Sequence, residues 1–398
     1  MSKRTIVKMP GDGIGGMVLE QAIRVLDAAG FDAEYVHADI GWKYWCEEGN
    51  PLPQRTIDII EKHKVALFGA ITSKPKDAAA AELKPELQDK GLVYSSPIVG
   101  LRQHFGLDIC MRPCKSYKGN PLNFIRRGAN NEIDEPEVDV VIFRQNTEGL
   151  YGGVEWSDPP QKVYDALNTH KKFQQNFSNV PKDELSVSTR IFTKAATERI
   201  LRAAFEHAKK YGYKSVTVCE KPNVIRETSG MMYKMAQEIQ AEDFSDIELW
   251  NTNIDAQMMW LTKNPENYGV IVAGNMFGDI VSDGFAGLIG GLGFACSAQF
   301  NKDTGVGVFE PTHGSAPKYA DYPVSITNPI AMISSACMML DFIDENELAS
   351  KIRKAIAEVI AEGKVRTYDM MKMKGQPDVV EKGAASTEEM AEAVIAKL

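Results

Sequence analysis

Asn275-Met-Phe-Gly-Asp-Ile-Val-Ser-Asp283 follows the apolar run Tyr268-Gly-Val-Ile-Val-Ala273. The run reads as a buried strand. A helix starting near Gly278 puts Asp279 and Asp283 on one face of its first turns. Two such carboxylates are hard oxygen ligands of the kind Mg²⁺ or Mn²⁺ takes. The plain alternative is a helix start with no ligand. The helix dipole favours each acid there by roughly 0.3–1 kcal/mol, and their repulsion is only about 0.2–0.5 kcal/mol. The rest of the chain has to decide between the two.

The chain has 398 residues, enough for two or three domains' worth of core. It is 44% hydrophobic and 25% charged, ordinary for a globular protein. A net charge of −9 argues against a general nucleic-acid binder. An anionic substrate then has to be held by a local cluster of Arg and Lys. No apolar run approaches the roughly 18–20 residues of a membrane span. The basic start Met-Ser-Lys-Arg-Thr-Ile-Val meets no signal-type apolar region before Pro10. Cys46, Cys110, Cys114, Cys219, Cys296 and Cys337 are scattered, without a Cys-x-x-Cys. They read as reduced core residues of a cytoplasmic protein.

Strands are expected at Thr5–Met9, Val65–Ala70, Val138–Arg144 and Ser215–Cys219. Helical periodicity covers Met17–Ala29, Thr193–Tyr211 and Thr228–Ala241. The last third reads as mostly helical, at Pro329–Phe342, Glu345–Ala361 and Thr387–Leu398. This alternation argues an α/β architecture. The polar stretch Tyr151–Val187, with Pro159-Pro160, fits a core poorly; it is either an arm at a subunit contact or a long surface loop.

Pro10-Gly-Asp-Gly-Ile-Gly-Gly16 matches G-x-G-x-x-G, and Asp32 lies where a ribose-binding acid would. Glycines at a tight strand-to-helix turn need no nucleotide, however. Arg102, Arg112 and Arg144 are expected near strand ends, where planar guanidiniums would hold an oligocarboxylate or phosphate. Lys221, in Cys219-Glu-Lys-Pro-Asn223, and Tyr151 are candidate proton-transfer groups. Glu310-Pro-Thr-His-Gly-Ser-Ala-Pro-Lys-Tyr319, followed by Asn328-Pro329, suits a loop wrapped around a nucleotide.

Taken in order, these motifs resemble the isocitrate/isopropylmalate dehydrogenase family, the metal-dependent β-decarboxylating dehydrogenases. The match runs from Gly11-Asp-Gly-Ile-Gly15 to Gly383-Ala-Ala-Ser-Thr387. The resemblance implies that family's α/β fold, not a Rossmann fold: large and small domains around a central cleft, plus an intersubunit clasp. It implies a large domain of residues 1–107 and 291–398, a small domain of 108–148 and 194–290, and a clasp of 149–193. Arg102, Arg112 and Arg144 resemble the carboxylate-binding set, Tyr151 and Lys221 the acid/base pair, and Asp255, Asp279 and Asp283 the metal ligands. His313, Gly314, Ser315, Ala316, Pro317 and Asn328 resemble the adenosine-binding segment. The resemblance further implies a homodimer in which Lys221 and Asp255 enter the neighbouring chain's site.

In this family the segment Tyr94-Ser-Ser-Pro-Ile-Val-Gly100 discriminates substrates. Ser96 resembles the serine that isocitrate enzymes place on the third carboxylate. Ile98 departs from their asparagine towards the apolar pocket of isopropylmalate enzymes, yet the Glu of those enzymes is absent. The reading therefore favours isocitrate over homoisocitrate, isopropylmalate or a tartrate/malate-type acid. Lys318-Tyr319 and Tyr368 resemble the NADP pattern, with Lys372 in place of an Arg. Expected cofactors are NADP and Mg²⁺ or Mn²⁺. Two further classes stay in view: a metal-independent Rossmann oxidoreductase using Asp32, and a regulatory subunit without turnover. The second is opposed by the presence of Tyr151, Lys221, Asp255, Asp279 and Asp283.

Overall fold

The apolar runs of the sequence become neighbours in one sheet. The structure, a computed structural model, describes residues 3–398. The ten strands are β1 (Arg4–Gly11), β2 (Ala33–His37), β3 (Val65–Ala70), β4 (Ile109–Lys115), β5 (Asp139–Gln145), β6 (Ser215–Glu220), β7 (Glu248–Asn253), β8 (Val270–Ala273), β9 (Cys296–Asn301) and β10 (Val306–Pro311). Their order is β7-β6-β8-β5-β4-β9-β10-β3-β1-β2. One parallel wing is β10-β3-β1-β2 and the other is β5-β8-β6-β7. Between them β4 and β9 run antiparallel to each other and to their outer neighbours. β3, β6 and β8 are buried at every position; β3 and β8 read as unbroken apolar runs, whereas β6 buries Ser215, Thr217 and Glu220 among its apolar residues. β9 and β10 carry Gln299 and Glu310 among apolar residues, and no apolar run announced them.

The helices that position the site or close the core are α1 (Gly15–Ala29), α2 (Pro97–His104), α3 (Lys194–Tyr211), α4 (Thr228–Asp243), α5 (Ile254–Trp260), α6 (Asn275–Leu288), α7 (Ile330–Phe342), α8 (Asn346–Glu362) and α9 (Thr387–Ile395). Thr193 caps α3 through the Ala196 amide, and Gly212 ends it in the left-handed conformation. α9 opens on a capping box of Ser386 and Glu389. α7 is buried from Ile330 to Leu340, against the sheet, α1 and α8, so it is apolar all round.

One expectation needs correction, and one open alternative is narrowed. α6 begins at Asn275 rather than near Gly278, and its first turn holds no acidic residue. Asp279 therefore lies beyond the reach of the helix-start preference, which decays within one turn. The stretch 151–187 is not an irregular loop. Strands Glu155–Ser157 and Ser186–Ser188 pair antiparallel, and helices Gln161–Leu167 and Lys171–Phe177 lie between them. Tyr164, Phe173 and Phe177 pack ring to ring there, giving this largely exposed arm a small core of its own.

The glycine turn after β1 does not form a dinucleotide site with Asp32. Gly13 has φ +54°, and a Cβ there would fall 2.1 Å from the Ser315 carbonyl oxygen, so the turn is packed against the 315 loop. Asp32 precedes β2, and Arg4 pairs with Ala33, so Asp32 sits at the opposite end of the strands, where it meets Lys3 at 3.4 Å. All six cysteines are free, five of them buried. Among the described residues no helix is long and apolar enough to cross a membrane.

Candidate active site

β4 and β5 lie side by side, with Cys110 opposite Arg144 and Arg112 opposite Ile142. Alternation along β4 sends Cys110, Arg112 and Cys114 to the face covered by α6. α6 can lie close because of Gly278: a Cβ there would be 2.7 Å from Arg144 Cβ. That approach delivers Asp279 to both guanidiniums. Arg112 Nη1 donates to Asp279 Oδ1 at 3.0 Å, to Ser282 Oγ at 2.7 Å and to Asp283 Oδ1 at 3.5 Å. Arg144 pairs with Asp279 and donates through Nε to Asn275 Oδ1 at 2.9 Å. The Arg144 side chain is only 2% exposed. Its burial and the adjacent Arg112 charge bring its pKa down to about 10, so it remains a cation at neutral pH.

Arg102 extends the set from α2. Its Nε donates to Gln299 Oε1 at 2.5 Å, and its Nη2 lies 3.7 Å from Glu310. Gln299 also bonds Glu310 and accepts from Asn146 at 2.8 Å. Burial raises the Glu310 pKa, while Arg102, Arg112 and Arg144 all pull it down. Of the three guanidiniums, Arg102 is the one in ion-pair contact with Glu310. The expectation that all three arginines stand at strand ends is corrected: Arg102 is helical, Arg112 lies mid-strand, and only Arg144 is near a terminus.

Tyr151 Oη donates to Asp279 Oδ2 at 3.4 Å, and Arg144 lies 5.6 Å over its ring. Burial and the Asp279 charge raise the phenol pKa, keeping it protonated. Burial likewise raises Asp283, with Arg112 opposing and Asp279 adding to it. Lys221 and Asp255 form a separate pair; that contact holds the Asp255 pKa below its ordinary value. No hydrogen bond or ion pair joins this pair to Asp279 or Asp283. Among the described residues no three His, Cys, Asp or Glu side chains converge as a metal site within one chain.

Ser96 occupies the N-cap position of α2 but makes no capping bond, which leaves its hydroxyl free. Ile98 does not face the cleft. It is 9% exposed and packs with Val7, Met9 and Phe68 in the core. One position on, Val99 is 38% exposed.

A cavity of about 400 Å³ is lined by His313, Gly314, Ala316, Tyr319, Asn328, Tyr368 and Asp369, among others. Ser315 anchors its loop through Oγ, 2.7 Å from Thr72 Oγ1. Pro317 starts the short helix Pro317–Ala320. His313 Nδ1 lies 3.0 Å from the Gly314 carbonyl oxygen, which can only accept. Its Nε2, shielded and without a partner, is then an acceptor. Burial lowers the imidazole pKa and keeps the ring neutral. Lys318 Nζ sits 4.6 Å over the Tyr319 ring, and Tyr319 packs edge-on to Tyr368 at 5.8 Å. Lys318 and Lys372 are both exposed, and neither they nor Ser315 and Pro317 are among the residues lining this cavity. Gln299, Glu310 and Asp369 had no assigned role in the sequence. Glu310 opens the quoted 310–319 motif and Asp369 directly follows Tyr368, whereas nothing marked Gln299.

The family model for isocitrate/isopropylmalate dehydrogenase matches residues 5–394, so the chain belongs to that family of β-decarboxylating dehydrogenases, which use a nicotinamide cofactor and a divalent metal. Protein DlpA of Legionella pneumophila subsp. pneumophila is 37% identical over 392 residues, 98% of this chain; the chain spans 58% of DlpA's length. The 3-isopropylmalate dehydrogenase of Methanothermobacter thermautotrophicus is 35% identical over 369 residues, 92% of this chain and 93% of that relative. The crystal structure of isocitrate dehydrogenase from Methylococcus capsulatus superposes with a TM-score of 0.80 at 32% identity, covering 99% of each chain.

Proposed function

We propose that this chain is an NADP-dependent, metal-dependent enzyme that oxidises and decarboxylates isocitrate. The observation that carries this reading is the buried guanidinium cluster facing the carboxylates of α6. Arg112 Nε is buried and unpartnered, a donor suited to a substrate carboxylate. Asp279 and Asp283 are hard oxygen donors on one helix face, and their charges are balanced here only by arginines. They fit a divalent cation, with Asp255 of a second copy as a third ligand. That Asp255 and Lys221 pair with each other, apart from Asp279, supports a site shared across a homodimer.

Bound Mg²⁺ or Mn²⁺ would act as a Lewis acid that stabilises negative charge on the substrate oxygens. Arg102, Arg112 and Arg144 bind and orient the substrate carboxylates. Lys221 of a second copy, together with its partner Asp255, would help remove the C2 hydroxyl proton, and a bound nicotinamide would supply the hydride acceptor for C2. Loss of CO₂ from C3 leaves an electron pair there, and the raised phenol of Tyr151 supplies the proton that quenches it.

The cavity around His313, Asn328, Tyr319 and Tyr368 fits the adenosine end of the cofactor. Buried, unpartnered Thr312 Oγ1, Thr327 Oγ1 and His313 Nε2 await polar partners, and the Nε2 acceptor suits an amino group. Lys318 and the two tyrosines suit the 2′-phosphate of NADP. We also assign residues 1–107 and 291–398 to one domain, 108–148 and 194–290 to another, and 149–193 to an intersubunit clasp. In support, the boundaries near 108 and 291 fall just before β4 and β9, the strands that join the two wings. Six free, mostly buried cysteines support a cytoplasmic enzyme.

The free Ser96 hydroxyl favours isocitrate. Exposed Val99 favours the second reading, a branched alkyl acid such as 3-isopropylmalate. The test is oxidation of isocitrate, homoisocitrate and 3-isopropylmalate by the purified enzyme with NADP or NAD and Mn²⁺. Isocitrate with NADP should give the highest kcat/KM. No isocitrate turnover, or equal use of NAD, would sink the proposal.

A further inference from the structure

Behind the site lies a buried ionic cluster to which the chemistry above gives no part. Glu220 ends β6 and is fully buried. Its Oε1 accepts the Gly274 amide at 2.7 Å, and Gly274 is the N-cap of α6. Its Oε2 accepts Arg190 Nη2 at 2.7 Å and Ser229 Oγ at 2.6 Å. Arg190 Nη1 donates to Thr228 Oγ1 at 2.8 Å and Ser229 Oγ at 2.9 Å, in the first turn of α4. The guanidinium lies over Phe192 at 4.4 Å and Phe277 at 5.0 Å. The fit at the cap is close: a Cβ on Gly274 would come within 2.6 Å of Glu220 Oε1 and of the Phe192 ring.

A buried ion pair is poor at adding stability, because desolvation offsets its attraction. What this one does is geometric. A single carboxylate ties together the start of α6, the start of α4, the segment returning from the arm and the end of β6. α6 carries Asn275, Asp279 and Asp283, and β6 leads directly into Lys221, whose amide lies 3.4 Å from Ser229 Oγ. A carboxylate at the α6 N-terminus is also favoured by the helix dipole.

We propose that Glu220, clamped by Arg190, is a positioning residue that sets α6 and Lys221 together. The inference rests on the reading that α6 holds the metal. Under the shared-site reading Asp279 serves its own chain's site and Lys221 the neighbour's, so Glu220 stands between the two sites of a dimer.

Two variants test this. Glu220→Gln removes the charge and leaves Arg190 buried without a counterion. The double variant Arg190→Met with Glu220→Leu removes both charges at similar volume, which restores packing without the clamp. Mn²⁺ binding is followed by electron paramagnetic resonance, and amide hydrogen exchange is followed without metal. In the folded double variant, Mn²⁺ affinity should fall at least tenfold. Exchange at residues 275–279 should quicken selectively, while β3 and β5 exchange as in wild type. Wild-type Mn²⁺ affinity and wild-type α6 exchange in the double variant would overturn the proposal. Wild-type protein that binds no Mn²⁺ would instead overturn the metal reading, and unchanged α6 exchange would still decide against Glu220.

Discussion

Arg112 Nη1 and Asp279 Oδ1 stand 3.0 Å apart, although 167 residues separate them in the chain. Under the proposed assignment, an anion-binding group and a cation-binding group here neutralise each other. Binding substrate and metal becomes an exchange of partners, in which each ligand releases the residue the other needs.

That exchange predicts coupling between the two ligands. Isocitrate should bind at least about tenfold more tightly with Mn²⁺ than with a chelator, a coupling of about 1.4 kcal/mol or more. Calorimetry of the wild type measures it directly. Asp279→Asn should abolish the coupling and lower turnover by about 100-fold or more with the fold retained. Equal affinity with and without metal would contradict the exchange.

Ile98 and Val99 should behave oppositely. Ile98→Ala opens a core cavity and should lower stability by about 2–5 kcal/mol while leaving the order of substrates unchanged. Val99→Asn sits on the exposed face and should change stability little. It should, however, shift the isocitrate to isopropylmalate ratio of kcat/KM towards isocitrate. Denaturant melts and the substrate assay together check the pair.

Lys318→Ala should raise the KM for NADP by about tenfold, the size of one lost charge-assisted hydrogen bond. The KM for NAD should hardly move, since only NADP carries the 2′-phosphate. A parallel rise for both cofactors would mean that Lys318 supports the loop rather than reading the phosphate.

His207 predicts a pH effect on stability. Burial and the Lys210 charge lower its pKa from 6.5 to about 4 in the folded chain. As pH falls from 6.5 towards 4, the unfolded chain takes up this proton and the folded chain does not. Stability is therefore lost in that window, by on the order of 3 kcal/mol once pH is below 4. Above about pH 7 the group makes no difference. His207→Gln should remove this part of the acid loss in melts run from pH 7 to 4.

Most of the fold was legible because its strands are fully buried or its helices have one apolar face. Val65–Ala70 was read to the residue, and Thr193–Tyr211 missed only the half-in cap. β9 was hidden because its Gln299 and Asn301 face polar partners inside the protein, so apolar periodicity is broken there. The site was legible as residue types at motif positions. Ile98 was misplaced because a position on a short helix does not reveal which side the core lies on.

By itself the sequence determined which segments could be buried and which side chains carry carboxylate, guanidinium and phenol chemistry, since both follow from residue type and local period. The tertiary structure decided which of them meet. Inserting β4 and β9 antiparallel between two parallel wings brings Arg112 beside Arg144, and Gly278 lets α6 close over both. Those contacts depend on strand order and helix approach, and no local pattern encodes them.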